Sequence, residues 1–180
     1  MEQIKLVEAK TEEQLQSIWA LYEKAFPKEE KKPISLMLKK REEGFYEILE
    51  ITDQEEEFRG LAIVILYQDL ALLDYFAVED TKRGTGIGST ALKLLQERYK
   101  EKRFFLEIES TKENCPDLNN RVRRKHFYEK NGMGAMKFLV ELFGINMELM
   151  TYQCELSFEE YHKIFEEVFS KEMSEKVRRI

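Results

Sequence analysis

Three glycines at alternate positions, Gly84, Gly86 and Gly88, follow two cations, Lys82 and Arg83. An apolar run precedes them, and the regularly spaced Leu92, Leu94 and Leu95 come after. Glycine accepts positive φ and keeps a Cβ from standing between the main chain and a ligand. Where a strand ends in such a turn and a helix begins, several amides lack acceptors at the positive end of the helix dipole. This is anion chemistry, best suited to phosphate or pyrophosphate. No Gly-Lys-Ser/Thr follows at Walker A spacing, and glycines two and two apart depart from the dinucleotide fingerprint. A glycine turn without a ligand is the alternative reading.

Other reactive side chains lie further along. Glu107 and Glu109 alternate in Phe104-Phe105-Leu106-Glu107-Ile108-Glu109, so strand parity puts both on one face, opposite Leu106 and Ile108. Two carboxylates brought close raise one pKa toward neutrality, which suits a base working through water. The polar side of a strand is the other account. Tyr128 carries a phenol near a helix end, either a proton donor or a core residue. His126 and His162 are the only histidines, without metal-ligand spacing, so no metal is expected. Cys115 and Cys154 follow no metal or redox pattern and read as reduced thiols. No Gly-x-Ser-x-Gly elbow is present.

The elements that must position these groups can be read from periodicity. Thr11-Glu12-Glu13-Gln14 is a capping box, and Leu15, Ile18, Trp19, Tyr22 and Phe26 recur at helical spacing up to Pro27. A short helix is expected after Pro33. Strands are predicted at Phe45–Ile51, Phe58–Tyr67, Ala71–Val78 and Phe104–Glu109. Helices are predicted at about Gly88–Lys102 and at Arg121–Asn131, the latter closed by Gly132. Met136–Gln153 reads as a hairpin turning near Gly144. Ser157-Phe158-Glu159-Glu160 caps a last helix with Phe158, Tyr161, Phe165, Val168 and Phe169 on one stripe. The order is that of a mixed α/β (α+β) sheet flanked by helices.

At 180 residues the chain suits one domain. With 29 Lys plus Arg against 35 Asp plus Glu, the net charge of −6 argues against a general grip on nucleic acid. The longest apolar run, Leu61–Tyr67, is far too short to span a bilayer, and the N-terminus lacks a secretory core. A soluble cytoplasmic domain is expected.

Arg83-Gly84-Thr85-Gly86-Ile87-Gly88 resembles the Arg/Gln-x-x-Gly-x-Gly/Ala signature of the GNAT superfamily of acyl-CoA-dependent N-acetyltransferases. Leu73–Val78 is similar to that family's fourth strand. Phe127-Tyr128-Glu129-Lys130-Asn131-Gly132-Met133 is similar to its Tyr-Glu-Lys-x-Gly-Phe segment. The resemblance covers roughly residues 4 to 153. It implies a single GNAT-like domain, 1–155, with a splayed central sheet, and an added C-terminal helix, 156–180, on the same domain. A dimer contact is the rival role for that helix.

The resemblance further implies that the pantetheine arm of acetyl-CoA bonds the backbone of Phe76, Ala77 and Val78. Arg83, Gly84, Thr85, Gly86, Ile87, Gly88 and Ser89 would hold the pyrophosphate. Val78 N–H would serve the oxyanion, and Tyr128 would protonate the departing thiolate. Some members carry a Glu base on the fourth strand, where this chain has Leu72. Glu107 resembles the base of ribosomal-protein alanine acetyltransferases, and Glu109 is its neighbour. Twenty-one positions separate Glu107 from Tyr128, more than is typical of those relatives. The excess lies in Ser110–Asn120, and Arg121 stands where the family has an asparagine. Arg121, Arg123, Arg124 and Lys125 are a solvated basic face or a site for coenzyme phosphates. The implied function is acetyl transfer to a primary amine by direct attack in a ternary complex. The acceptor is a small molecule or peptide, and the protein a monomer or homodimer. A non-catalytic coenzyme-binding module is the alternative.

Overall fold

Residues 3–180 are described by a computed structural model. The first helix begins where the capping box requires. After β1 (Lys5–Glu8), α1 spans Glu12–Ala25. Thr11 Oγ1 accepts the Gln14 amide at 3.2 Å, and Gln14 Oε1 accepts the Thr11 amide at 3.1 Å. There follow α2 (Ile34–Glu42), β2 (Tyr46–Thr52), β3 (Phe58–Tyr67), β4 (Leu70–Val78) and α3 (Ile87–Arg98). The rest of the chain forms β5 (Arg103–Glu109), α4 (Leu118–Lys130), β6 (Met133–Leu142), β7 (Ile145–Tyr152), α5 (Phe158–Ile164), α6 (Lys171–Ser174) and β8 (Val177–Arg179). The mixed α/β class predicted from the sequence is the one found.

Two compact units divide the chain: one runs up to Leu66 and includes Leu73–Arg98, the other contains Tyr67–Leu72 and Tyr99–Ile180. In the first, the strand order is β1-β2-β3-β4. Antiparallel pairing sets Val7 opposite Glu50 and Leu49 opposite Ala62. Leu61, Ala62, Ile63 and Val64 are consecutive and fully buried, so β3 has both faces covered. Ile87 and Ala91 of α3 pack with Ile4 and Ile51, and Phe76 and Val78 lean on the same cluster.

The register between β2 and β3 shifts at Ile51/Thr52, which face Gly60 and Phe58. Beside that bulge Gly60 has no room for a side chain. A Cβ there would stand 2.4 Å from the Ala77 carbonyl oxygen and 3.1 Å from the Val78 Cα. The missing side chain lets β3 lie close against the last residues of β4.

In the second unit the order is β5-β7-β6-β8. Phe105 pairs with Thr151 and Glu107 with Leu149, both antiparallel. The β6–β7 hairpin turns on Phe143 and Gly144, both at positive φ, as a two-residue loop demands. Arg103 ties three segments together. Its amide donates to Asp69 O at 2.8 Å, and its guanidinium reaches the Asp69 carboxylate at 2.8 Å and Glu160 at 2.7 Å.

The C-terminal segment differs from the single helix expected. After α5 the chain makes a π-type turn over Phe165–Phe169, and Ser170 becomes extended. The Ser170 hydroxyl then accepts the Met173 amide at 3.2 Å and starts α6. β8 finally pairs antiparallel with β6, Val177 opposite Leu142. Of the expected apolar stripe, Tyr161, Phe165 and Val168 are at most 1% exposed, while Phe158 and Phe169 are half-buried.

Gly60→Ala tests the close approach at β4. Overpacking there should lower unfolding free energy by roughly 1–3 kcal/mol, read as a lower urea midpoint with an unchanged slope. An unaltered midpoint would mean that the strands tolerate a side chain.

Candidate active site

β4 ends at Val78, where the Glu79 amide donates to Arg59 O at 3.0 Å. A 3₁₀ turn over Asp80–Lys82 follows, then Arg83, Gly84, Thr85 and Gly86, before α3 starts at Ile87. Gly84 and Gly86 stand at φ +79° and +90°, a region that side chains strain to enter. No atom lies within 4 Å of where their Cβ atoms would be, so conformation rather than crowding selects glycine. Gly84, Thr85 and Gly86 are exposed.

The loop is anchored at both ends. Asp80 accepts Lys24 Nζ at 2.8 Å and Arg83 Nη2 at 2.9 Å. The Lys24 hydrogen bond, then the charges of Arg83 and Lys24, hold its carboxyl below the usual range. Thr85 Oγ1 donates to Lys82 O at 2.6 Å. At the other end the Ile87 side chain is 2% exposed, set in the apolar cluster of the first unit. The first main-chain bond of α3 runs from Thr90 N to Gly86 O at 3.0 Å. The Ile87 and Gly88 amides therefore precede any intrahelical acceptor. Among the described residues, the Gly84 and Gly86 amides also engage no backbone acceptor. Four main-chain donors thus gather at a helix start, as an anion requires.

The acid and base candidates lie in the second unit. Tyr128, in the last turn of α4, is 8% exposed. Tyr22 and Tyr75 donate to backbone carbonyls, Tyr46 to Asp74 and Tyr161 to Glu107. The Tyr128 hydroxyl has no such partner among the described residues. Burial pushes its pKa up to about 12, against a smaller opposing effect of Arg124, so the phenol stays protonated at neutral pH. Asn131 closes the helix with its side-chain amide on Phe127 O at 2.8 Å, and Gly132 takes φ +86° as expected.

Glu107 and Glu109 have separate partners. Glu107 accepts the Tyr161 hydroxyl at 2.6 Å. Glu109 pairs with Arg121 at 2.9 Å and Arg124 at 3.5 Å. The basic run on α4 is thus neither wholly solvated nor wholly free for phosphates. Arg121 also donates to Ser110 O at 3.1 Å, fastening the lengthened β5–α4 connection. Lys125 meets Glu148 at 2.5 Å, and Glu148 also accepts the Thr111 amide and hydroxyl at 2.8 and 2.6 Å. Burial opposes ionisation of Glu148, yet the Lys125 and Thr111 bonds outweigh it and hold its pKa low.

One cluster escaped the sequence reading. Asp74, in the apolar run Leu70–Val78, has a side chain only 3% exposed and binds Lys32 Nζ at 2.7 and 3.0 Å. The Tyr46 hydroxyl donates to it at 3.0 Å. A lone acid within an apolar strand was the available signal.

The turn with its four main-chain donors thus joins a strand to a helix within a mixed α/β fold. Residues 11–133 match the model of the Acetyltransferase (GNAT) family, and the chain belongs to that family. A Bacteroides thetaiotaomicron protein assigned to the GNAT acetyltransferases is similar in structure, with TM-score 0.76 and 18% identity over 94% of this chain and 98% of its own. The Escherichia coli ribosomal-protein alanine N-acetyltransferase gives TM-score 0.63 and 15% identity over 86% and 96%. A dodecameric spermidine N-acetyltransferase from Vibrio cholerae gives 0.64 and 16% over 83% and 92%. At these identities the likeness is one of fold. No curated protein matches the sequence.

The raised phenol pKa makes Tyr128 a source of alkaline sensitivity. A group that holds its proton more tightly when folded supports the fold fully below its unfolded pKa, about 10, and loses that support as pH rises through about 12. Unfolding free energy should therefore fall over that window, and Tyr128→Phe should flatten the fall relative to wild type. Identical slopes in urea titrations at stepped pH would refute the burial effect.

Proposed function

We propose that the protein transfers an acetyl group from acetyl-CoA to a primary amine, the amine attacking directly within a ternary complex. The observation that carries the reading is the set of four main-chain donors at Gly84, Gly86, Ile87 and Gly88, with family membership behind it. In this reading those amides, with Arg83, Thr85 and Ser89, hold the diphosphate of the coenzyme. The backbone of Phe76, Ala77 and Val78 aligns the pantetheine.

Three physical demands remain. The amine must be neutral, although a free alkylamine has a pKa of about 10.4. Its nitrogen then forms a bond to the thioester carbon, and the carbonyl oxygen becomes an oxyanion facing Val78 N–H. On collapse the C–S bond breaks, and the Tyr128 phenol gives its proton to the sulfur. An unshared hydroxyl on a buried, protonated tyrosine supports that role. Of the two carboxylates Glu107 is the better base, because Glu109 is neutralised by Arg121. Glu107 takes the amine proton through water.

The solved relatives named above include enzymes for spermidine and for a protein-borne alanine, so amines both small and peptide-borne fall within the fold's range. An acceptor of either kind, and a monomer or a homodimer, accord with the reading.

Thiol release from acetyl-CoA across a panel of amines, amino acids and peptides tests the proposal. Tyr128→Phe should lower kcat by about a hundredfold while acetyl-CoA binding stays within about twofold. Equal loss of binding and turnover would make Tyr128 structural. Coenzyme binding with no thiol release on any acceptor would favour the non-catalytic module.

A further inference from the structure

Lys32 is held as a bound ligand would be. Its ammonium lies 2.7 and 3.0 Å from the two Asp74 oxygens and 5.3 Å from the centre of the Tyr75 ring. The Tyr75 ring and the Asp74 carboxylate are each held by further aromatic residues. Tyr22 meets Tyr75 edge-on at 4.8 Å, Phe26 meets Tyr75 at 5.0 Å, and Tyr46 donates to Asp74 at 3.0 Å. The chain around Lys32 is fastened too: its amide donates to the Tyr75 hydroxyl at 2.9 Å, and its carbonyl accepts Tyr22 at 2.8 Å. A carboxylate beside an aromatic face makes a cage-like seat for an alkylammonium group.

The position of this cage gives it meaning. Asp74 shares a strand face with Phe76 and Val78, because side chains alternate along β4. At a rise of about 3.3 Å per residue, it stands roughly 7 Å along the strand from Phe76 and 13 Å from Val78. A cation seated there is within reach of a thioester aligned on those residues. A carboxylate only 3% exposed also demands a positive partner, since an unpaired charge at that depth is costly.

The geometry points to Asp74, with the Tyr75 ring beside it, as the subsite for a cationic, alkylammonium acceptor, with Lys32 as a tethered occupant that the acceptor must displace. This rests on the acetyl-transfer reading above and adds the substrate class and a built-in brake. While Lys32 fills the cage, only the fraction of molecules with Lys32 swung away is competent, and apparent affinity falls by that fraction.

The test uses n-butylammonium as probe and calorimetry as readout, on the full chain, with acetyl-CoA titrated in parallel. Lys32→Met keeps the stem volume but removes the charge. It should bind the probe about tenfold more tightly than wild type, because the competing ammonium is gone. Lys32→Arg keeps the pair and the fold, grips Asp74 with a fork, and should bind the probe more weakly than wild type. Adding Asp74→Asn to Lys32→Met should erase the gain. Where an amine is turned over, the same order should appear in KM, with kcat little changed between wild type and Lys32→Met. Equal probe affinity in wild type, Lys32→Met and Lys32→Arg would overturn the proposal and leave Lys32 as a structural tie. Should Lys32→Met fail to fold, Lys32→Arg decides: unchanged or tighter probe binding contradicts the tethered occupant. Acetyl-CoA binding to none of the forms, with the amine gain still present, would sink the transfer reading and leave the subsite standing.

Discussion

A main chain that stops being a strand at Val78 and becomes a helix at Ile87 must leave amides without acceptors, and the first unit is organised around that necessity. The strand's last residues are brought close to β3 by the absent side chain of Gly60. The helix's first residue is pinned by burying Ile87 beside Ile4, Ile51 and Ala91. Between these fixed ends, Gly84 and Gly86 take conformations that only glycine enters freely. Asp80, bridging Lys24 and Arg83, ties the start of the turn to α1 and to the residue before Gly84.

The second unit spends its cations on its own carboxylates. Arg121 and Lys125 could have formed a free basic face. Instead they pair with Glu109 and Glu148, while Glu107 accepts the Tyr161 hydroxyl. Arg121 also fastens the residues inserted after β5, so the departure from the family's usual spacing has a structural consequence. An arginine in place of the family's asparagine binds the protein's own carboxylate and carbonyl.

Much of this was legible in the sequence because local rules fixed it. The capping boxes at Thr11 and Ser157, the glycine after Asn131 and the glycine-rich turn each depend on a few adjacent residues. All of them are found. The partners of Glu107, Glu109, Arg121 and Lys125 were not legible, since each is set by segments distant in sequence. The break at Ser170 was hidden because the apolar stripe runs up to it through the π-type turn at Phe165–Phe169. Asp74 was overlooked because its alternating apolar neighbours gave the strand reading, while its cation comes from a loop 42 positions earlier.

The amides of the turn can be watched one by one. Acetyl-CoA should be titrated into uniformly ¹⁵N-labelled protein while backbone amide resonances are followed. Saturable shifts of the Gly84, Gly86, Ile87 and Gly88 amides, larger than those elsewhere, are the result this account predicts. Saturable binding that leaves those four resonances in place, or no binding at all, would contradict it.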